Sequence, residues 1–319
     1  MKIRIITPAA AGSLKGNRVT AERWRQLLRK LGHRVTIATD YAGEPCDVLI
    51  ALHARRSYRA IARCDTVRPR VPIVLALTGT DLYGDIHTNQ QSQRALSIAA
   101  RLVLLQPDGL SQLSPALRQK TRVIYQSATA PKKIPATLKS CFEVVVIGHL
   151  RPVKDPFRAA MASAALPTAS RIQIVHIGAA LSAAMRRRAD RLAADNPRYR
   201  WLGELSRRAT LGRLARSRLL VVTSKLEGGA NVVSEALAAE VPVLSSRISG
   251  SIGILGGDYP GYFPVGDTAA LTALLARAET DQAFYRRLQA MGRRRARLLT
   301  PEREMRAWKE LLDELEARE

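Results

Sequence analysis

Two periodicities alternate along almost the whole chain: short apolar runs, and longer stretches in which apolar residues return every three or four positions. The runs at 3–7, 34–39, 48–52, 73–77, 102–105 and 122–125 predict strands, and their near-continuous apolar character suits a parallel sheet buried on both faces. A helix is predicted over 19–31, where Val19, Trp24, Leu27, Leu28 and Leu31 lie near helical spacing and Gly32 supplies the stop. Helical stretches at 57–62 and 90–100 fill two further crossovers. The pattern breaks at 127–140, SATAPKKIPATLKS, whose two prolines, three lysines and lack of apolar period read as an interdomain linker. Beyond it the alternation resumes, with strands at 142–147, 172–177, 200–202, 219–222, 241–244 and 262–265 and helices at 155–166, 182–195, 206–217, 232–239 and 267–277. Thr300 and Pro301 then offer an N-cap and a first-turn proline for a last helix.

This alternation in both halves predicts an α/β fold of two Rossmann-like, doubly wound domains facing across a cleft lined by loops that follow the strands. The expected division is 1–133 for an acceptor-side domain and 134–300 for a donor-side domain, with a helix over 301–319 packing back toward the N-terminal domain. A chain of 319 residues is comfortable for two such cores. No apolar run approaches the ~18 residues of a membrane span, and Met1 leads straight into a strand instead of a signal peptide. A cytoplasmic protein without integral membrane association is expected. Cys46, Cys64 and Cys141 lack the paired spacing of a disulfide framework or zinc site and read as unpaired thiols.

Charge changes the picture only in part. Lys plus Arg number 51 against 27 Asp plus Glu, a net charge of +24, which suits polyanions, anionic membranes or small acidic substrates. Much of the excess is arginine spread over helical stretches such as 186–188 and 293–295, as a solvated helix face would also show. No ribonucleoprotein pattern, helix-turn-helix or Cys/His finger accompanies it, so no nucleic-acid partner is expected.

The densest chemistry lies in TSKLEGGANVVSEALAAEVPVLSSRISGSIGILGG, residues 223–257. Here a buried strand passes through a turn at Glu227, Gly228, Gly229, Ala230 and Asn231 into the helix predicted from Val232, stopped by Val241 and Pro242. Such a turn aims backbone N–H groups and the positive end of the helix dipole at one point, which suits phosphate oxygens, while many strand-turn-helix units of this kind hold no ligand. Glu227 before the turn and Glu235 one helical turn inside suit sugar hydroxyls better than phosphate. A later glycine-rich stretch, 250–256, reads as a second loop.

Three other loops follow predicted strands. GHLRPVK, 148–154, brings Arg151 and Lys154 close together, as a plain surface loop also could. Residues 8–17 combine Gly12, Ser13, Lys15, Gly16 and Asn17, a small cradle for an anion with Asn17 as a possible cap, and match neither the Walker nor the dinucleotide fingerprint. TGTDLY, 78–83, places Thr78 and Asp81 after a strand, with His53 ending the strand before it; such polar groups are either caps or ligand contacts. His33 reads as a structural turn residue. D-x-D, H-E-x-x-H and G-x-S-x-G are absent, and neither metal nor cofactor is expected.

The E-x7-E pair of Glu227 and Glu235 followed by EALAAEVPV resembles the signature of family 4 glycosyltransferases, retaining enzymes of the GT-B architecture. LGHRVTIAT, the TGTD loop and GHLRPVK extend the resemblance over most of the chain. It implies a metal-independent hexosyltransferase using a UDP-sugar. Glu235 would then hold the nucleotide ribose, Glu227 would lie beside the donor sugar, and the backbone at Gly229, Ala230, Asn231 and Val232 would face sugar and diphosphate. Arg151 and Lys154 would neutralise the diphosphate, with the 12–17 loop, His53, Thr78 and Asp81 on the acceptor side. Three departures mark a specialised subgroup: the turn reads E-G-G-A-N, the later glycine loop lacks the usual Glu, and Thr78 stands where the family often has His. TPAAAGSLKGNRVTAERW, LTGTDLYGDI and HLRPVKDPF resemble one bacterial branch, the selenosugar synthases of selenoneine biosynthesis. That resemblance implies selenophosphate as the acceptor, with release of UDP and phosphate. The alternatives are a family 4 enzyme with a hydroxyl or lipid acceptor at a membrane surface and, more remotely, a basic nucleic-acid-binding protein.

Overall fold

A computed structural model describes residues 1–131, 133 and 136–317. The chain separates into two compact units. The first comprises Met1–Ser127, Glu227–Gly229 and the stretch from Leu299 onward; the second comprises Ala128–Leu226 and Ala230–Leu298. The linker expected over 127–140 includes Lys132, Ile134 and Pro135, which lie outside the described residues.

The first unit is built on β1 (Lys2–Ile6), β2 (Arg34–Ala38), β3 (Val48–Leu52), β4 (Ile73–Leu77), β5 (Arg101–Leu104) and β6 (Thr121–Val123). They pair in parallel in the order β2-β1-β3-β4-β5-β6. β3 and β4 are buried along their whole length, which is why their sequences, VLIAL and IVLAL, carry no polar alternation. One face of the sheet packs under Trp24, Leu28, Trp308 and Leu312, the other under Ile61, Cys64, Leu96 and Leu113. Strand order reverses between β1 and β3, so the loops after those strands part toward opposite faces, the position at which doubly wound sheets hold their ligands.

The last helix, Pro301–Glu316, completes this unit. Trp308 meets Trp24 edge to face with ring centroids 4.7 Å apart. Glu304, whose side chain is fully buried, accepts hydrogen bonds from Trp24 Nε1 at 2.7 Å, Arg23 Nε at 3.3 Å and Ser127 N at 2.7 Å, and also from the Ser127 hydroxyl. Further along, Glu314 pairs with Arg101 at 3.0 Å and Arg122 at 2.7 Å.

The second unit carries β7 (Phe142–Ile147), β8 (Ile172–Ile177), β9 (Tyr199–Trp201), β10 (Leu219–Val222), β11 (Val243–Ser246) and β12 (Tyr262–Phe263). Their order is β12-β11-β10-β7-β8-β9, all parallel, with the reversal between β7 and β10. Both sheets are therefore the doubly wound kind expected from the alternation.

Two local readings change. The glycine-rich stretch read as a loop is a helix, Ser249–Leu255, whose closing carbonyls at Gly253 and Ile254 accept from the Arg295 guanidinium at 2.8 and 2.5 Å. A helix at Gln282–Ala296, left out of the predicted set, is capped by Asp281, which accepts from Phe284 N at 2.9 Å. Its buried anchors Phe284 and Leu288 are diluted by arginines, which hides the apolar stripe.

Candidate active site

In the second unit the chain leaves β7 at Gly148 and passes through His149, Leu150 and Arg151 into a tight turn, Pro152–Lys154, closed by Asp155 in the left-handed region at φ 42°. This loop is strapped to the loop after β8. Gly148 N donates to Ile177 O at 2.9 Å, Leu150 N to Ala179 O at 2.9 Å, and Ala179 N to His149 Nδ1 at 3.1 Å. Gly178 allows the approach: at φ 154°, a Cβ there would lie 2.1 Å from Gly148 O. Behind the loop, His176 on β8 is fully buried, with Nε2 3.0 Å from Gly148 O and Nδ1 3.1 Å from Tyr199 Oη. Burial pushes its pKa down to about 4, so the ring is neutral at ordinary pH. A neutral ring can donate from Nε2 to the carbonyl while accepting the tyrosine proton at Nδ1.

The loop after β10 bonds to the same turn. Thr223 Oγ1 lies 2.9 Å from both Lys154 O and Asp155 O and shares its one proton between them, and Lys225 N donates to Val153 O at 2.8 Å. The loops flanking the reversal between β7 and β10 thus hold each other, where ligands of doubly wound sheets bind. Arg151 opens the turn with its Nε buried and without a hydrogen-bond partner among the described residues. Such a donor costs roughly 1–3 kcal/mol that a ligand oxygen would recover.

Past that loop, the helix Asn231–Ala238 begins one residue earlier than predicted, with Ala230 at its cap and therefore no side-chain cap for its N-terminus. Val232 lies in its first turn, and Glu235 follows with its side chain 10% exposed, accepting from Arg207 Nη2 at 2.8 Å. Arg207 begins the helix Arg207–Arg216 and had no sign of a role in the sequence; its pairing arises from two segments separated by β10. Glu227, partly buried, and Gly229 belong to the short turn that groups with the first unit.

In the first unit, the loop after β1 turns at Gly12, φ 75°, and Ser13 Oγ accepts from Lys15 N at 3.3 Å. The helix starts at Gly16, with the exposed Lys15 at its cap position. Asn17 therefore lies inside the first turn and is not the cap. After β3, His53 is buried at φ 76°, its Nε2 3.2 Å from Thr80 Oγ1. Asp81 is also buried and accepts from Ala54 N at 2.9 Å, Thr78 N at 3.1 Å and Gly79 N at 2.9 Å, tying the loops after β3 and β4 together. Burial lowers the pKa of His53, opposed in part by the nearby Asp81 charge. Among the described residues there is no cluster of His, Cys, Asp and Glu able to hold a metal ion, and no helix long and apolar enough to cross a membrane.

A family model described as glycosyl transferases group 1 matches residues 129–295, just over half of the chain. Solved structures share the fold over its whole length. HepE of Anabaena, solved in complex with UDP-glucose, is 16% identical with a TM-score of 0.76, covering 99% of this chain and 100% of its own. Sucrose-phosphate synthase from Thermosynechococcus elongatus is 17% identical with a TM-score of 0.78, covering 100% of both chains. A glycosyltransferase from Rickettsia africae is 12% identical with a TM-score of 0.70, covering 98% of each. The architecture is GT-B.

Proposed function

Because this chain belongs to the glycosyl transferases of group 1, we propose that it transfers the sugar of a UDP-sugar to selenophosphate, yielding a 1-seleno sugar, UDP and phosphate. The observation that carries the donor half is the buried, unpartnered Arg151 Nε in a loop held on both sides by its neighbours. A fixed cation stabilises a leaving diphosphate better than a mobile one, because no reorganisation is needed as charge develops. UDP-glucose in the complex of HepE, whose fold this chain shares, supports the same choice of donor class.

The proposed roles follow from chemistry. Arg151 and Lys154, with the backbone at Gly229, Ala230, Asn231 and Val232, receive the diphosphate; Glu235 takes the ribose hydroxyls and Glu227 stands beside the sugar. Selenium attacks the anomeric carbon while the bond to the UDP oxygen breaks, and UDP leaves with that electron pair. Water then cleaves the selenium–phosphorus bond, releasing phosphate. Selenium already bears the nucleophilic electron pair, so the chain has no hydroxyl to deprotonate and supplies no nucleophile of its own. Gly12, Ser13, Lys15, Gly16 and Asn17 receive the phosphoryl oxygens, with His53, Thr78 and Asp81 shaping the neighbouring loops. No metal or cofactor enters this scheme.

Incubation with a panel of UDP-sugars, with and without selenophosphate, tests the proposal by mass spectrometry. A selenium-bearing sugar formed together with UDP is the expected product. Turnover of a hydroxyl or lipid acceptor with selenophosphate left intact would overturn the acceptor assignment.

A further inference from the structure

The cluster at the carboxyl ends of β3 and β4 contains more order than packing demands. His53 has almost no exposed surface, yet it holds a left-handed backbone, which costs a non-glycine residue roughly 1–3 kcal/mol and concentrates at functional sites. Its backbone is fixed at both sides: His53 N donates to Ala76 O at 2.9 Å, and His53 O accepts from Ser57 N at 3.1 Å. Its ring reaches from the interior to the hydroxyl of Thr80, an exposed residue, with Nε2 3.2 Å from Oγ1 in a partly buried contact.

The directions of the hydrogen bonds can be worked out. Arg56 N donates to His53 Nδ1 at 3.4 Å, a long bond but one that only an unprotonated nitrogen can accept. Asp81 Oδ2 lies 3.9 Å from that nitrogen, outside hydrogen-bond reach, and both Asp81 oxygens already accept backbone N–H groups. The ring proton is therefore on Nε2 and is given to Thr80 Oγ1. The charges that act on the ring are Asp81 and Asp85, which favour its protonation, and Arg55 and Arg56, which oppose it; Arg55 and Asp85 are themselves paired at 3.3 Å. A threonine hydroxyl that accepts from histidine has its single proton left to donate elsewhere.

We infer that Thr80 is a specificity-determining residue for the acceptor: the chain Arg56 N, His53, Thr80 aims its hydroxyl proton outward, selecting an acceptor that presents an oxyanion. This rests on the proposed phosphoryl-bearing acceptor and adds a residue that the sequence motifs did not single out. His53 and Asp81 are positioning residues in this arrangement. Asp81 fixes the backbone around Thr80, and His53 fixes the direction of its hydroxyl.

The test uses thiophosphate as probe, titrated calorimetrically into the full chain with UDP present, alongside a separate titration of UDP alone. Thr80→Val keeps the shape and removes the hydroxyl, and is expected to weaken thiophosphate by about tenfold while leaving UDP affinity within about twofold, as loss of one hydrogen bond to an anion implies. Thr80→Ser should retain affinity. His53→Asn, which tolerates a positive φ but is too short to reach Thr80, should fall between the two. Unchanged thiophosphate affinity in Thr80→Val, equal loss of UDP, or failure of Thr80→Ser to retain binding would overturn the assignment. Thr80-dependent binding without consumption of selenophosphate would keep this site and remove the proposed reaction; consumption without Thr80 dependence would do the reverse.

Discussion

Glu235, the residue proposed to hold the nucleotide ribose, is paired with Arg207. The carboxylate is nearly buried and the guanidinium is half exposed, so the contact is partly screened and its role is to fix the carboxylate's orientation more than to add stability. Glu235→Gln is expected to weaken UDP by about 1.5–3 kcal/mol, the worth of hydrogen bonds to a charged acceptor, as read by calorimetric titration. Equal affinity would remove the ribose role. At this scale candidate residues were legible where they sit in one short segment, as with Glu227 and Glu235 eight positions apart. Arg207 was not, because nothing local marks a side chain that reaches Glu235 from another helix. Thr80 was hidden likewise, since it is His53, 27 positions away, that orients it.

The loop after β7 shows how an element gains its shape from behind. Its carbonyl at Gly148 rests on His176, and the titration of that ring has a calculable consequence. The folded pKa lies at about 4, below the unfolded value of 6.5. As pH falls through 6.5 the unfolded chain takes up the proton first, so stability is full above that pH and declines progressively toward pH 4, by roughly 3 kcal/mol in all. His176→Asn should flatten that part of the stability profile relative to the wild type when denaturant midpoints are compared between pH 7 and 4; identical slopes would show that the ring is not the group responsible. Strands such as 48–52 and 73–77 were legible to the residue because complete burial writes an unbroken apolar run. The helix Ser249–Leu255 was not, because two glycines argued for a loop while its closing bonds come from Arg295, more than forty positions on in the case of Gly253 and Ile254.

For the molecule as a whole, the fold class could be read from the alternation of elements, whereas the closing of the first unit by its final helix depends on contacts between the two ends of the chain. Glu304 gathers Trp24, Arg23 and Ser127 around one buried carboxylate. Glu304→Ala would leave those donors without their acceptor and is expected to destabilise the first unit by about 3–5 kcal/mol. Two of the three tryptophans, Trp24 and Trp308, meet edge to face in this contact, so their fluorescence should report its loss at lower denaturant than in the wild type. An unshifted transition would show that the carboxylate is replaceable by water.

Residues 280 positions apart meet at Trp24 and Glu304, and this imposes an order of events during synthesis and refolding. All six strands of the second sheet lie within 142–263, so its contacts become available while the chain is still growing. The first unit, though most of it leaves the ribosome earlier, must wait for the last helix to cover Trp24, because closing so long a loop is slow and its final strip of core is made last. Pulsed hydrogen exchange during refolding should find the amides of β7, β8 and β10 protected before those of the helix Gly16–Lys30, so the half of the protein that is made first is the half that finishes last.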